Sequence, residues 1–200
     1  MDTQKLSMLA TIQCGLVLSR KEAKAPHANS KHYKRLGLKS MGEDGRLKLD
    51  VLDDFYSSDH LEDTNLTHAN DILVRQFVPL MPVLIDGNEK SSNLVIPSQL
   101  AVIRIKSGAP VLSGYLRWYL STPAFTDTVI LSGETQFQRT IRIGDLSETM
   151  IPIPSVEKQQ LIIGICETAV RREKLYQELI QEEKRYTNWQ LQKLIGGTTK

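Results

Sequence analysis

The 200-residue chain has only two cysteines, Cys14 and Cys166, far apart and outside any C-x-x-C or Cys/His ligand spacing. This excludes a disulfide framework and a cysteine zinc site, and both thiols are expected as small buried apolar residues. His27, His32, His60 and His68 have no metal-ligand spacing either, so no metal is expected. No run approaches the roughly 20 apolar residues a membrane-spanning helix requires. The first ten residues lack the basic start and long apolar core of a signal peptide. No membrane association is therefore expected, and the cytoplasm is the expected compartment. The chain has no phosphate-binding glycine loop, no cofactor fingerprint, no Asn-Pro-Pro-Tyr-like motif and no nucleophile paired with a base, so neither catalysis nor a cofactor is expected. Asp71, Asp86 and Glu89 form a faint nuclease-like carboxylate set, but no Lys stands two residues beyond the Glu.

A strong charge of one sign is also missing. The formal net charge is +2, which says little, because affinity for phosphate depends on local clustering. The distribution is more informative. Between Gly15 and Ser40 stand Arg20, Lys21, Lys24, Lys31, Lys34, Arg35 and Lys39 against the single acid Glu22, whereas 50–71 is rich in Asp and Glu. One face is expected to be positive while the whole stays near neutral.

What is present is the composition of an ordinary soluble fold, with 40% hydrophobic and 24% charged residues. The length suits one domain with an appendage. Residues 6–18 read as a short helix running into a strand, and the alternation over 35–39 reads as a strand closed by a turn at 42–45. Three further strands are expected at 71–75, 83–85 and 100–105. Pro79 and Pro82 stop the first of them, and turn residues at 86–88 follow the second. Ser113 is a candidate cap for a helix carrying Tyr115, Leu116, Tyr119 and Leu120, ended by Pro123, with a second short helix over 124–131. Residues 132–139 read as a polar loop, 140–143 as a strand and 144–146 as a turn. The fold class is therefore α+β, a mixed, twisted sheet with short helices.

Ile151-Pro152-Ile153-Pro154 reads as an extended linker, since each proline fixes its own backbone and restricts the residue before it. The expected organisation is a globular domain over 1–150, a linker at 151–154 and a helix over 155–195. Ser155 offers a cap and Glu157 suits the first turn, and nothing stops the helix before Gly196-Gly197. About 40 residues at 1.5 Å each give roughly 60 Å, too long to lie wholly on a core of this size. Leu161, Ile165, Ala169, Arg172, Tyr176, Leu179, Tyr186 and Leu194 form a seam for a second helix, interrupted by Arg172 and Glu183.

The order of segments resembles the specificity subunits of Type I restriction-modification systems over almost the whole chain. The resemblance is carried by 15–21, Tyr33-Lys-Arg-Leu36, Leu66-Thr67 through Asn70-Asp-Ile-Leu-Val-Arg75, Ile96 to Arg104, Tyr115-Leu-Arg-Trp-Tyr-Leu120, Ile143-Gly-Asp-Leu146, and Ile151-Pro-Ile-Pro154 followed by Glu157-Lys-Gln-Gln160. Asn70 stands where a Gly is expected, and Asn tolerates the same left-handed turn. Complete subunits look like two such units in tandem, and this chain supplies one. The resemblance implies a non-catalytic unit that binds one half of a split double-stranded DNA target. It also implies helices that pair antiparallel, with a second copy or another specificity half, and that hold methyltransferase subunits, which recruit the restriction subunit. A non-enzymatic adaptor that binds protein through its globular part is the alternative.

Base edges are read by Arg, Lys, Gln and Asn, while phosphate contacts position the protein. The candidates are Arg20, Lys21, Lys34 and Arg35 in the basic segment, Gln136, Gln138 and Arg139 in the polar loop, and Gln76, Ser98 and Gln99 behind them. Tyr33 and Phe137 interleave with these groups as candidates for stacking on sugar or base, with a place in the core or at its edge as the commoner fate of such rings.

Overall fold

The computed structural model describes residues 2–23, 30–132 and 140–196, and the chain divides into two compact units, Met1–Gln160 and Leu161–Lys200. Four antiparallel strands organise the first unit. They are β2 (Ala10–Cys14), β5 (Ile72–Arg75), β6 (Val83–Leu84) and β7 (Leu100–Ile105), in the order β2-β7-β5-β6. The central pair β5 and β7 sets Ile72 opposite Ile103 and Leu73 opposite Val102. All four side chains are fully buried, so both faces of these strands are covered, which is why each reads as an unbroken apolar run. Leu73, Val83 and Val102 join Leu36, Met41 and Ile96 in the main core, and Phe55, Leu61, Leu66 and Val95 form a second cluster. Every ladder between strands is antiparallel, and the parallel character of the sheet is confined to the isolated bridges Leu16–Pro97 and Arg35–Val95.

Two separate two-stranded antiparallel sheets accompany this one. β3 (Lys31–Arg35) pairs antiparallel with β4 (Asp53–Ser57). The strand expected over 35–39 thus ends at Arg35, and Leu38–Ser40 is a 3-10 turn in which the Ser40 hydroxyl donates to the Gly37 carbonyl at 2.6 Å. The turn expected at 42–45 is present, with Gly45 N–H donating to the Gly42 carbonyl at 3.1 Å. The proline-rich segment is extended, but it is the strand β8 (Met150–Ile153), paired with β1 (Asp2–Lys5), and not a free linker. Its two-stranded ladder leaves Pro152 no inner position where a missing N–H would break a bond.

Helices α1 (Leu6–Leu9), α2 (Ser113–Leu120), α3 (Pro123–Ser132) and α4 (Ile143–Glu148) complete the unit. Ser113 is the first residue of α2 and not its cap. That position belongs to Leu112, and the Ser113 hydroxyl donates to Asn70 Oδ1 at 3.2 Å. Pro123 opens α3, a position where its missing N–H costs nothing. The strand and turn expected over 140–146 are replaced by one bridge, Thr140 to Phe77, followed by α4, whose Leu146 is fully buried. Asn70 does take the left-handed conformation, at φ 67°. Cys14 is exposed and Cys166 partly so, which corrects the expectation of buried thiols. Among the described residues no helix is long and apolar enough to cross a membrane.

Helix α5 (Val156–Ile195) starts inside the first unit. Glu157 sits in its first turn, where its own backbone N–H and the Ser155 hydroxyl hold its carboxyl below the usual range. Two residues on, Gln159 is fully buried with its amide saturated. Its Oε1 accepts from Leu112 N–H at 2.8 Å, and its Nε2 donates to the carbonyls of Pro110 and Pro154, both at 2.9 Å. Replacing it with an apolar residue of similar size leaves three backbone groups without this partner, the Pro154 carbonyl among them buried. Gln159→Leu is therefore expected to lower the unfolding free energy by about 1–3 kcal/mol, read by urea denaturation of the whole chain. An unchanged midpoint and slope would show that these groups find other partners.

Candidate nucleic-acid interface and helical seam

Lys21, Lys34 and Arg35 of the expected basic face are each paired with an acid that follows in sequence. The β3–β4 register sets Lys34 opposite Asp54 and Arg35 opposite Asp53. Lys34 reaches Asp54 at 2.8 Å, Arg35 reaches Asp53 at 3.2 Å, His32 Nε2 lies 2.6 Å from Asp54, and Lys21 meets Asp59 at 3.0 Å. Hydrogen bonds from Lys34 and then His32 hold the Asp54 carboxyl below the usual aspartate range, and Lys21 does the same for Asp59. These carboxylates thus stay ionised at neutral pH. What they add to stability is complete above the ordinary aspartate pKa and is lost as pH falls through the lowered values of the folded state. Exposed pairs of this kind contribute little each. Arg20, in the 3-10 turn Leu18–Arg20, is exposed and has no such partner among the described residues.

A second group of candidates collects at one end of the four-stranded sheet. Gln76 follows β5, and its Nε2 donates to the carbonyl of Ser98 at 2.8 Å and of Leu100 at 3.3 Å, with Cys14 Sγ at 3.1 Å. Its backbone N–H donates to the Gln99 carbonyl at 3.2 Å, and its carbonyl accepts from Ile141 N–H at 2.7 Å. Gln76 therefore fastens three chain segments together, and its Nε2 is already occupied. Gln99 is exposed and Ser98 half-buried beside it. Gln136, Gln138, Arg139 and Phe137 lie outside the described residues, but Thr140, which follows them, is bridged to Phe77 at this same end. The structure thus brings Gln76, Ser98 and Gln99 together, while Lys21, Lys34 and Arg35 belong to the β3–β4 side. Tyr33 packs at the edge of the second core cluster, and its hydroxyl accepts from Leu61 N–H at 3.2 Å.

The two aspartates of the nuclease-like set serve separate structural tasks, and Glu89 is exposed. Asp71 is buried and clasped by Arg104, with Nε at 3.0 and 3.2 Å from its two oxygens and Nη2 at 3.1 Å. Asp86 closes a turn, accepting from the Ser91 hydroxyl at 2.6 Å, and this bond is the main cause that holds its carboxyl below the usual range. Among the described residues no three His, Cys, Asp or Glu side chains are grouped to hold a metal.

In the second unit the seam residues Leu161, Ile165, Tyr176, Leu179, Tyr186 and Leu194 are each more than half exposed, with Ala169 and Arg172 exposed between them. Leu175, Ile180 and Trp189 are also more than half exposed and widen the stripe beyond the sequence-based seam. Tyr186 and Trp189 stack at 5.8 Å, and Lys193 lies over the Trp189 ring at 5.1 Å. Counting by threes and fours along one stripe passed over Trp189, whereas its ring contact one turn beyond Tyr186 brings it in.

Neither a protein-family model nor a curated protein matches this chain. Solved structures do. The HsdS subunit from Thermoanaerobacter tengcongensis superposes with a TM-score of 0.69 at 13% identity, over 96% of this chain and 47% of its own. The S subunit of a Type I restriction-modification system from M. genitalium gives 0.55 at 15%, over 96% and 45%. A chain from work on complex assembly and conformational transition of the type I R-M system gives 0.60 at 16%, over 97% and 44%. This is the fold of a Type I specificity subunit. The chain spans about half the length of the specificity-subunit structures it matches, and the match takes in nearly all of its residues.

Against this specificity-subunit fold the carboxylates of β4 become informative. Asp53→Asn with Asp54→Asn would release Lys34, Arg35 and His32. If that strand pair faces a polyanion, the double variant is expected to bind duplex DNA more tightly and with a steeper salt dependence than the unaltered chain. Identical binding isotherms across a salt series would take β3 and β4 out of the interface.

Proposed function

We propose that the chain is the DNA-reading component of a Type I restriction-modification enzyme, recognising one half of a bipartite target. The observation that carries this reading is the fold match over 96–97% of the chain, long helix included. In this reading the globular unit, with the recognition domain assigned to 1–150, reads base pairs. The helix over 155–195 docks methyltransferase subunits, which in turn bring the restriction subunit, and the chain itself catalyses nothing. Methylation and cleavage then belong to the partners, and the residues Gln76, Ser98 and Gln99 stand at the reading end of the sheet.

The exposed stripe of α5 supports pairing with a second, antiparallel helix, and its pattern suits a second copy. About a point between Gln177 and Glu178, Leu161 falls opposite Leu194, Ala169 opposite Tyr186, and Tyr176 opposite Leu179. In the same register the two polar interruptions, Arg172 and Glu183, fall opposite each other as unlike charges. A small residue thus meets a large one, and no like charges meet in the seam.

Co-expression with a candidate methyltransferase subunit, followed by mapping of methylated bases, tests the main reading. One short motif methylated only when this chain is present is the expected result, with duplex affinity falling steeply as salt rises. Salt-insensitive behaviour with no motif would favour the adaptor. For the seam, Leu179→Asp with Tyr186→Asp is expected to abolish association in sedimentation. Arg172→Glu alone and Glu183→Arg alone should weaken self-association, and the two together should restore it. Failure of the double swap to recover it would discard this register.

A further inference from the structure

The first unit holds a cavity of about 240 Å³, walled by the turn residues Gly42 and Glu43, the loop 78–82, the end of α2 and Thr126 of α3. Arg117, in the last turn of α2, lines it. Its guanidinium packs against Gly45, where φ is +77° and a Cβ would stand 2.6 Å from Nη1. A glycine there serves two needs at once, a left-handed backbone and room for the guanidinium. Arg117 is half-buried, yet among the described residues it forms no ion pair and no hydrogen bond. In that it differs from Lys21, Lys34 and Arg35, each with its aspartate, and from Arg104, clasped to Asp71.

The other lining groups do not compete with it as donors. The Ser121 hydroxyl already donates to the Trp118 carbonyl at 2.6 Å, and the Thr126 hydroxyl to the Thr122 carbonyl at 3.2 Å. Glu43 is exposed and makes no bond to the guanidinium, and Asp44 is turned to the Arg46 N–H at 3.1 Å. The hairpin that supplies Gly45, held by the Met41–Leu47 bridge, also carries Lys39, Arg46 and Lys48, all exposed and without an ion pair among the described residues. An arginine fork positioned by its neighbours and bonded to no carboxylate among the described residues, on a hairpin where three cations stand against the two acids Glu43 and Asp44, matches the oxygens of a phosphate group.

We propose that the Arg117 cavity is an anion site that holds one backbone phosphate of the DNA duplex. The partner rests on the reading of the chain as a DNA-binding subunit, and the anion chemistry does not. With one free donor side chain among the lining residues, the site makes one phosphate contact and positions the duplex without reading its sequence.

Two measurements test it. In the 200-residue chain, inorganic phosphate is expected to shift the Arg117 Nε–H resonance saturably, and Gly45→Ala, which displaces the guanidinium but keeps its charge, should weaken that shift. No saturable shift in the unaltered chain would overturn the site. In the complex with its methyltransferase subunit, Arg117→Gln should weaken duplex binding about 3- to 10-fold and reduce the log–log salt slope by about 1, equally for matched and mismatched targets. An unchanged melting temperature establishes that the variant is folded. Equal duplex binding by Arg117→Gln and the unaltered complex would refute the phosphate assignment and leave the DNA reading intact. If the unaltered complex ignores duplex at every salt concentration, the DNA reading fails, and the phosphate titration alone decides the cavity.

Discussion

The ladder between β5 and β7 is the constraint on which the rest of the unit depends. Its four residue pairs bury both faces, so neither strand can shift by one position without exchanging two packed surfaces at once. That fixed register decides where the loops at its ends begin. Gln76 leaves β5 at the point where Ser98 and Leu100 enter β7, and one amide can therefore bond to both carbonyls. The buried clasp of Asp71 by Arg104 sits at the opposite ends of the same strands and ties the approach to β5 to the end of β7. Removing either partner of such a pair leaves a lone charge in an apolar place, a far larger penalty than the net worth of the pair.

Electrostatics in this chain are organised by pairing and not by total charge. Lys34 and Arg35 laid against Asp54 and Asp53 cancel much of the charge of that ribbon, whereas Lys39, Arg46 and Lys48 around Gly45 form no ion pair among the described residues. A chain near neutrality can in this way hold a local positive field where a ligand needs one. Such unmatched charges lower stability slightly through their mutual repulsion, and that tolerance is typical of residues retained for binding.

Much of the architecture was legible in the residues. The unbroken apolar runs at 72–75 and 100–105, the apolar face of α2 and the uninterrupted periodicity of α5 are local signals, and local signals survive in a single sequence. What stayed hidden depends on distant partners. The strand at 150–153 looked like a linker because its prolines are local and its partner lies at the other end of the unit. The basic and acidic segments suggested two faces, since nothing in either says that Lys34 will sit beside Asp54. The helix α4 was masked by a short Gly-Asp pair that also suits a turn, and only the burial of Leu146 settles its form. Arg117 lies in the Tyr115–Leu120 segment that carries the family resemblance, but that it bonds to no carboxylate among the described residues shows only in three dimensions.

The pairing of β1 with β8 also bears on how the protein is made. Residues 2–5 are synthesised before the rest of their unit, yet their partner strand leaves the ribosome only after nearly the whole unit has been translated. At roughly 5–20 residues per second, the first strand waits for many seconds with its backbone groups served only by water. Closure of the unit must then coincide with synthesis of α5, whose apolar stripe follows immediately in the chain. A nascent chain in this state exposes an unpaired edge and a greasy helix together, the moment at which chaperone protection matters most.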